Sequence, residues 1–492
     1  MRKLFRRPFT ALTCALALGL QACGGDTPRE GAEASRGETA SLSQASAAVE
    51  TDILVALRAI PGLTVVREGT THIPGTRFFV LSYNQPADHQ HPEGQRFQQR
   101  LTLLHRSTQA PVVLAATGYG IGTNAGQFEP TALLQANQLL VEHRFFGPST
   151  PKPANWEHLT LEQAAADHHR IVSAFKPLYG AKWVSTGASK GGMASLFHRA
   201  LYPADVDATV AYVAGYSRGP ADPRYIQFLD RVGDAACRER IRAFQRDLLS
   251  RRDELVPHAA VATAAQGLTF KFLGMDKAFE FLVLELPFAF WQVGNPASCP
   301  FIPAPGAPAE EALDALDSMV GYAYLSDMAI AYFAPYNFQA ATQMGSYRSD
   351  ERHVRELLKY PGQYVSASQV PFPLEPFGFD HGAIPRIEAW VKAHGERILL
   401  VYGELDPWST NPFDVHESND AYRFFVPGAN HGASLFKLPE PERTRAVERL
   451  TTWMGLQPTE SGRAALKASA LAAGAEDIEP LTVDRRRLPP LE

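Results

Sequence analysis

Apolar residues along this chain follow two kinds of pattern, and the change between them divides the molecule. Pro111-Val112-Val113-Leu114-Ala115-Ala116 is a continuous apolar run, the signature of a strand buried on both faces of a parallel sheet. Leu139-Leu140-Val141, Lys182 to Thr186 and Ala208 to Val213 are further short runs of this kind. Upstream, Arg77 to Tyr83 and Phe97 to His105 read as extended segments around the polar turn Gln85-Pro86-Ala87-Asp88-His89. The second alternates in part, with Phe97, Gln99, Leu101 and Leu103 on one side, as a half-buried strand does. Between the strands, Leu161, Ala164, Ala165, His168, Ile171, Val172 and Phe175 recur at helical spacing behind a capping box at Thr160 to Gln163. A second helix through Gly192 to Phe197 stops at Tyr202-Pro203. Strands alternating with helices predict a doubly wound, mostly parallel sheet.

The alternation stops near residue 219. Residues 220–384 read as mainly helical or irregular, with helices expected over Arg238 to Leu249, Ala259 to Phe272, Ala309 to Phe333 and Glu351 to Tyr360. Strands return at Arg397 to Tyr402 and Tyr422 to Val426, and Pro441 to Met454 predicts a closing amphipathic helix. This late part has too few strands to stand alone. The expected organisation is therefore one sheet built from residues 51–219 and 385–456, a helical cap (220–384) inserted into it, and a loose tail (457–492) carrying the solvated run Arg485-Arg486-Arg487.

Composition changes little in this picture. At 492 residues, 45% hydrophobic and 20% charged, the chain can bury a large core, and a net charge of −5 gives no reason to expect a nucleic-acid partner. The N-terminus adds a location. Arg2, Lys3, Arg6 and Arg7 precede an apolar stretch, Phe9 to Leu20, that is short for a membrane span. It ends in Leu20-Gln21-Ala22-Cys23-Gly24, which resembles a bacterial lipobox. That reading makes 1–22 a signal peptide, Cys23 the lipid-modified first residue, and 23–50 a flexible tether. The expected location is then an exported, membrane-anchored lipoprotein; an ordinary secretory signal would leave the protein freely secreted. With Cys14 removed and Cys23 lipidated, Cys237 and Cys299 remain, and an exported chain favours a disulfide between them over two buried thiols.

The chemistry sits where strands end. Gly187-Ala188-Ser189-Lys190-Gly191 lies between a strand and a helix, which is the setting of the G-x-S-x-G nucleophile elbow of α/β-hydrolases. In that fold the chain order is serine, acid, histidine. Gly403-Glu404-Leu405-Asp406-Pro407-Trp408 and Pro427-Gly428-Ala429-Asn430-His431-Gly432 each follow a strand, in that order. A lone Asp-Pro or His-Gly after a strand is more often a turn. Together they make Ser189 the candidate nucleophile, His431 the base and Asp406 the carboxylate that orients it, with Glu404 an alternative acid that the resemblance given below disfavours. The oxyanion donors expected are the backbone N–H of Lys190 and one from Gly118-Tyr119, after an earlier strand. The Lys190 ammonium reads as solvated or structurally paired. No His, Asp, Glu or Cys set has metal spacing, so no metal or cofactor is expected.

At these motifs the sequence resembles the secreted bacterial tripeptidyl aminopeptidases of the PS-ten type, α/β-hydrolase serine peptidases distantly akin to lysosomal Pro-Xaa carboxypeptidase and dipeptidyl peptidase II. The resemblance spans roughly residues 75 to 455. It rests chiefly on Ser189-Lys190-Gly191-Gly192-Met193 and Asp406-Pro407-Trp408, with support from Gln85 to His89, Glu142 to Ser149, Leu161 to Ala164 and Pro427 to Gly432. It implies Ser189, Asp406 and His431 as the triad and a peptide with a free N-terminus as substrate. Such a substrate needs an anchor for its α-ammonium, for which Glu142 is a candidate; bracing of its own loop is an equal reading of that residue. Ala188 departs from the glycine of many relatives, and the lipobox departs from free secretion. The cap matches least. An ester hydrolase with the same triad, or an inactive binding lipoprotein, remain the competing readings, the latter disfavoured by three filled triad positions.

Overall fold

The computed structural model describes residues 52–456. Helix α1 (Ile53–Ala59) leads into three strands, β1 (Leu63–Gly69), β2 (Arg77–Pro86) and β3 (Arg96–His105), which pair antiparallel in succession. Then β4 (Val112–Ala116), α2 (Glu129–Leu134), β5 (Asn137–Val141), α3 (Leu161–Phe175), β6 (Trp183–Ala188), α4 (Lys190–Leu201) and β7 (Ala208–Tyr212) follow as crossover units. The helical region comprises α5 (Arg224–Leu229), α6 (Ala235–Ser250), α7 (Arg252–Ala265), α8 (Met275–Val293), α9 (Ala309–Met319) and α10 (Asp327–Gln339). The chain returns through α11 (Ala383–His394), β8 (Ile398–Gly403), β9 (Tyr422–Val426) and α12 (Glu442–Trp453). The strands form one nine-stranded sheet in the order β1-β2-β3-β5-β4-β6-β7-β8-β9, parallel from β5 to β9.

Successive residues of a strand point to opposite faces, and here both faces are covered. Val113 and Ala115 of β4 pack with Leu133 and Leu134 of α2 and with Leu450 and Trp453 of α12. Val112 and Leu114 face the other way, against Ile171, Val172 and Phe175 of α3. Farther along that second face, Leu196 and Phe197 of α4 and Ile387 and Val391 of α11 cover Ala211 and Leu400. Continuous apolar strands are what such a two-sided layer requires. The helical region has its own core around Phe244, Leu248, Phe279, Phe281 and Leu282. Trp408, from the loop after β8, is part of that core, so the second half of the sheet reaches into the helices.

Four expectations need correction, all but one of them in the helical region. The helix expected over Ala259 to Phe272 lies at Arg252–Ala265, with Pro257 inside it. The stretch Ala309 to Phe333 is broken: Gly321 adopts φ +86° and Ser326 caps a new helix by accepting a hydrogen bond from the Ala329 N–H. Glu351 to Tyr360 holds only a single turn of 3-10 helix at Arg355–Leu357. The polar turn expected from Gln85 begins later, because Gln85 and Pro86 still pair with Phe97 and Arg96 in the β2–β3 ladder. Cys237 of α6 and Cys299 are joined by a disulfide. The signal segment, Cys23, the tether and the tail from 457 lie outside the described residues. No described helix is long and apolar enough to cross a membrane.

Candidate active site

Ser189 follows β6 directly and precedes α4, with φ +54° and ψ −126°. A non-glycine residue at positive φ is strained, and such strain persists only where surrounding structure enforces it. The enforcement is visible. The Ser189 N–H donates to the Tyr212 carbonyl of β7 at 2.9 Å, and its own carbonyl accepts from Met193 at 3.0 Å. The flanking glycines let backbones meet. A Cβ on Gly191 would lie 2.0 Å from the Ala116 oxygen of β4, and one on Gly187 2.4 Å from the Gly191 carbonyl carbon. Ala188 is buried in β6, where its methyl group is accommodated.

Asp406 and His431 come together beyond β8 and β9. Asp406 Oδ2 lies 2.6 Å from His431 Nδ1, and the two side chains are 0% and 2% exposed. Asp406 Oδ1 accepts the Trp408 N–H at 3.1 Å, which fixes the carboxylate as the cap of a short 3-10 turn. The His431 N–H donates to the Gln292 carbonyl at 3.0 Å, and Asn430 Nδ2 to the Gly294 carbonyl at 2.9 Å. The end of α8 therefore holds the loop that carries the histidine. The His431 Nε2 is buried with no hydrogen-bond partner among the described residues, so no hydrogen bond joins it to Ser189. Ser189, Asp406 and His431 all follow the carboxyl ends of parallel strands, the edge where open α/β sheets place their sites.

Lys190 is structurally held, not solvated. It is 3% exposed, its Nζ donates to the Gly118 carbonyl at 2.7 Å, and the faces of Tyr119 and Phe146 lie 5.4 and 5.0 Å away. Burial pushes its pKa well below the usual lysine value. Its tether fixes the loop of Gly118, whose φ of +77° suits glycine and whose Cβ would collide with Lys190 and Gly191. The Tyr119 N–H donates to Thr117 Oγ1 at 3.0 Å within its own loop, which leaves it a weaker oxyanion candidate than Gly118.

Glu142 is a brace. It is 1% exposed; Oε2 accepts from Ser149 Oγ at 2.6 Å, Oε1 from the Ile121 N–H at 3.1 Å, and Arg100 lies 4.0 Å away. Burial raises its pKa, against the lowering effect of Ser149 and Arg100. With both oxygens engaged inside the protein, it is not presented to a substrate ammonium. Arg144 pairs with Asp167 instead, through two contacts of 2.7 Å.

A pocket beside Ser189 is lined by Met193, Val213, Ser217, Tyr336, Met344 and Trp408. Of these, sequence reasoning had singled out only Met193 and Trp408, through their motifs. Tyr336 of α10 and Met344, five residues past its end, carry no sequence pattern pointing to the site. No group of metal-ligating side chains occurs among the described residues.

The sheet order, the strained serine after β6 and the acid and base loops after β8 and β9 define an α/β-hydrolase of the serine-elbow class. The chain belongs to the PS-10 peptidase S37 family, whose model matches residues 46–489. It is a serine peptidase, 39% identical over 433 residues to the prolyl tri/tetrapeptidyl aminopeptidase of Streptomyces mobaraensis, covering 87% of this chain and 89% of that one. Solved structures that resemble it include proline iminopeptidase of Mycobacterium smegmatis (14% identity, 76% of this chain and 98% of that one, TM-score 0.33). Another is the peroxisomal alpha-beta-hydrolase Lpx1 of Saccharomyces cerevisiae (14% identity, 81% and 98%, TM-score 0.32).

Proposed function

We propose that this chain is an exported serine exopeptidase that releases short peptides, chiefly tripeptides, from free N-termini. The observation that carries the mechanism is the Asp406–His431 pair with its Nε2 unspent, on the same sheet edge as the strained Ser189. Ser189 Oγ attacks the scissile carbonyl, its proton passes to His431 Nε2, and that proton then goes to the departing amine. Water hydrolyses the acyl-enzyme by the reverse path. Asp406 holds the imidazole with Nε2 toward the serine and stabilises the imidazolium. The oxyanion is received by the Lys190 N–H, in the first turn of α4 where no intrahelical acceptor exists, and by the Gly118 N–H. The apolar wall of Met193, Val213, Met344 and Trp408 suits a proline ring next to the cut, in keeping with the prolyl specificity in the name of the Streptomyces mobaraensis relative. The lipobox at Cys23 supports an anchored, exported location, and the Cys237–Cys299 disulfide is consistent with an oxidising compartment.

The test is turnover. Tripeptidyl chromogenic amides with proline at the cut are expected to be cleaved far faster than simple carboxylic esters, and mass spectrometry of library digests should show tripeptides that vanish on N-terminal acetylation. Turnover of esters alone would sink the peptidase reading. Cys23→Ser is expected to move the protein from the membrane fraction to the soluble fraction; unchanged fractionation would remove the anchor.

A further inference from the structure

The exopeptidase reading requires an anion for the substrate's α-ammonium, and Glu142 is sealed. A second cavity meets the Ser189 pocket at a shared wall. Tyr336 lines both, and the chain passes from Met344-Gly345 in the first to Ser346-Tyr347 in the second. The second cavity is polar and rich in acceptors: Tyr336, Asn337, Tyr347, Tyr364, Ser366 and Gln369 face it, and no lysine, arginine or histidine lines it. Behind the tyrosines lies Glu285 of α8, 2% exposed. Its Oε2 accepts the hydroxyls of both Tyr347 and Tyr364, the latter at 2.9 Å.

We propose that Tyr347 and Tyr364, backed by Glu285, form the subsite that receives the α-ammonium of the peptide substrate. A phenol whose proton is committed to a carboxylate has only lone pairs left; one of these meets the Tyr347–Tyr364 hydroxyl contact at 3.3 Å, and the others are acceptors. An alkylammonium has three donors and no acceptor, the complementary set. The carboxylate supplies negative charge from a dry position, where electrostatic attraction is stronger than in water. Burial and the neighbouring Glu285 push the Tyr364 phenol well above its ordinary pKa, so it keeps its proton. The rings of Tyr324 and Tyr336, half-buried among the lining residues, can add cation–π attraction. Glu285 acts through the tyrosines and is a positioning residue. The subsite lies in the helical region while the nucleophile lies on the sheet, so the offset between them would set how many residues are released.

This inference rests on the exopeptidase reading, and the experiment separates the two. The full-length protein and its Glu285→Gln and Tyr364→Phe variants are assayed on one tripeptidyl chromogenic amide, with its N-terminus free and acetylated. The active serine is titrated with a fluorophosphonate. Wild type is expected to prefer the free substrate. In Glu285→Gln, kcat/KM for the free form should fall on the order of tenfold to a hundredfold, the scale of a charged hydrogen bond, mostly through KM. The acetylated form and the labelling rate should not change. Tyr364→Phe should act in the same direction and stands in if Glu285→Gln does not fold. If wild type prefers the free substrate and the folded variants keep that preference, or lose both substrates equally, the subsite is wrong and the exopeptidase reading stands. If wild type cleaves both forms alike, the exopeptidase reading falls and the subsite falls with it.

Discussion

Arg144 and Arg252 are both arginines buried against a carboxylate, one beside the sheet and one in the helical region, and they are held in different ways. Arg144 meets Asp167 through two 2.7 Å contacts and donates further to the carbonyls of Ala87 and His158 at 2.9 and 2.6 Å. Asp167 also meets His89 Nε2 at 2.7 Å. Arg252 reaches Glu280 through Nη2 and pairs with Asp276 through Nη1 at 3.5 Å, but its Nε has no hydrogen-bond partner among the described residues. Every guanidinium nitrogen of Arg144 is hydrogen-bonded, and that of Arg252 at Nε is not. A satisfied network specifies one geometry, whereas a half-satisfied one is less costly to rearrange.

The largest effect expected falls on the sheet side. Ser189→Ala should lower kcat/KM on the order of 10⁵-fold or more and abolish fluorophosphonate labelling, with little change in stability. Asp406→Asn should lower kcat by about 10⁴-fold, since the imidazole then settles in the wrong tautomer. Labelling that survives Ser189→Ala, in a protein whose surface-serine control behaves normally, would remove the nucleophile assignment. Substitutions that leave the triad intact but alter Met344 or Tyr336 should instead change which peptides are cut.

Next is the sheet's own ion pair. Arg144→Met leaves the Asp167 carboxylate buried without its main partner and is expected to cost about 3–5 kcal/mol in urea unfolding. The same pair gives a pH signature. Burial raises the Asp167 pKa, but the charge and hydrogen bonds of Arg144 outweigh this and lower it from 3.8 to about 2. A depressed carboxylate contributes stability that is complete above its unfolded pKa and lost as pH falls toward the folded one. Wild type should therefore lose this contribution between pH 3.8 and about 2, and Arg144→Met should lack that component. Equal acid sensitivity in both proteins would contradict the pairing.

The disulfide tests the helical region separately. Cys237 and Cys299 close 62 residues of chain, for which loop-closure entropy gives a stabilisation of about 4 kcal/mol at most. Paired Cys237→Ser and Cys299→Ser substitutions should lower the unfolding midpoint of the helical region. At temperatures where that region remains folded, the rate of Ser189 labelling should be retained. A variant that loses labelling in step with the midpoint would show that the sheet edge depends on the cap more closely than the comparison implies. The hydrogen bonds from His431 to Gln292 and from Asn430 to Gly294 are the route by which it would.

The same contrast explains what the sequence revealed. On the sheet, Val112 to Ala116 and Ile398 to Gly403 are buried on both faces, so an unbroken apolar run is their only solution, and runs are visible. The elbow was legible because Gly187 and Gly191 are forced by backbone contact and Ser189 lies between them. Strand β1 was missed: its residues after Leu63 are mostly exposed or half-buried, so it has neither a run nor a clean alternation. Helix α8 was missed for the opposite reason. Nearly every residue from Ala278 to Gln292 is buried, so no polar stripe marks a period, and Pro287 reads as a break. Glu142 shows a third limit. Its motif was recognisable, but whether its carboxylate faced a substrate or Ser149 and Ile121 depended on contacts no local pattern contains.

The smallest effect is the sharpest test of the opening comparison. Arg252→Met removes a side chain 5% exposed, together with its Nε, which has no hydrogen-bond partner among the described residues, and the Nη1 contact to Asp276 at 3.5 Å. The Nε carries an unreturned desolvation cost of about 1–3 kcal/mol. Glu280 would not be abandoned, because the amides of Lys359 and Tyr360 still donate to it at 2.8 and 2.9 Å. Methionine occupies similar volume and adapts to irregular gaps. The relieved Nε offsets part of the loss of the Glu280 and Asp276 contacts, and the substitution should cost about 1–3 kcal/mol, less than Arg144→Met. Chemical denaturation of the Arg144→Met and Arg252→Met proteins side by side reads the difference directly. If Arg252→Met costs as much as Arg144→Met, the two arginines are equally well held and the contrast between them has to be given up.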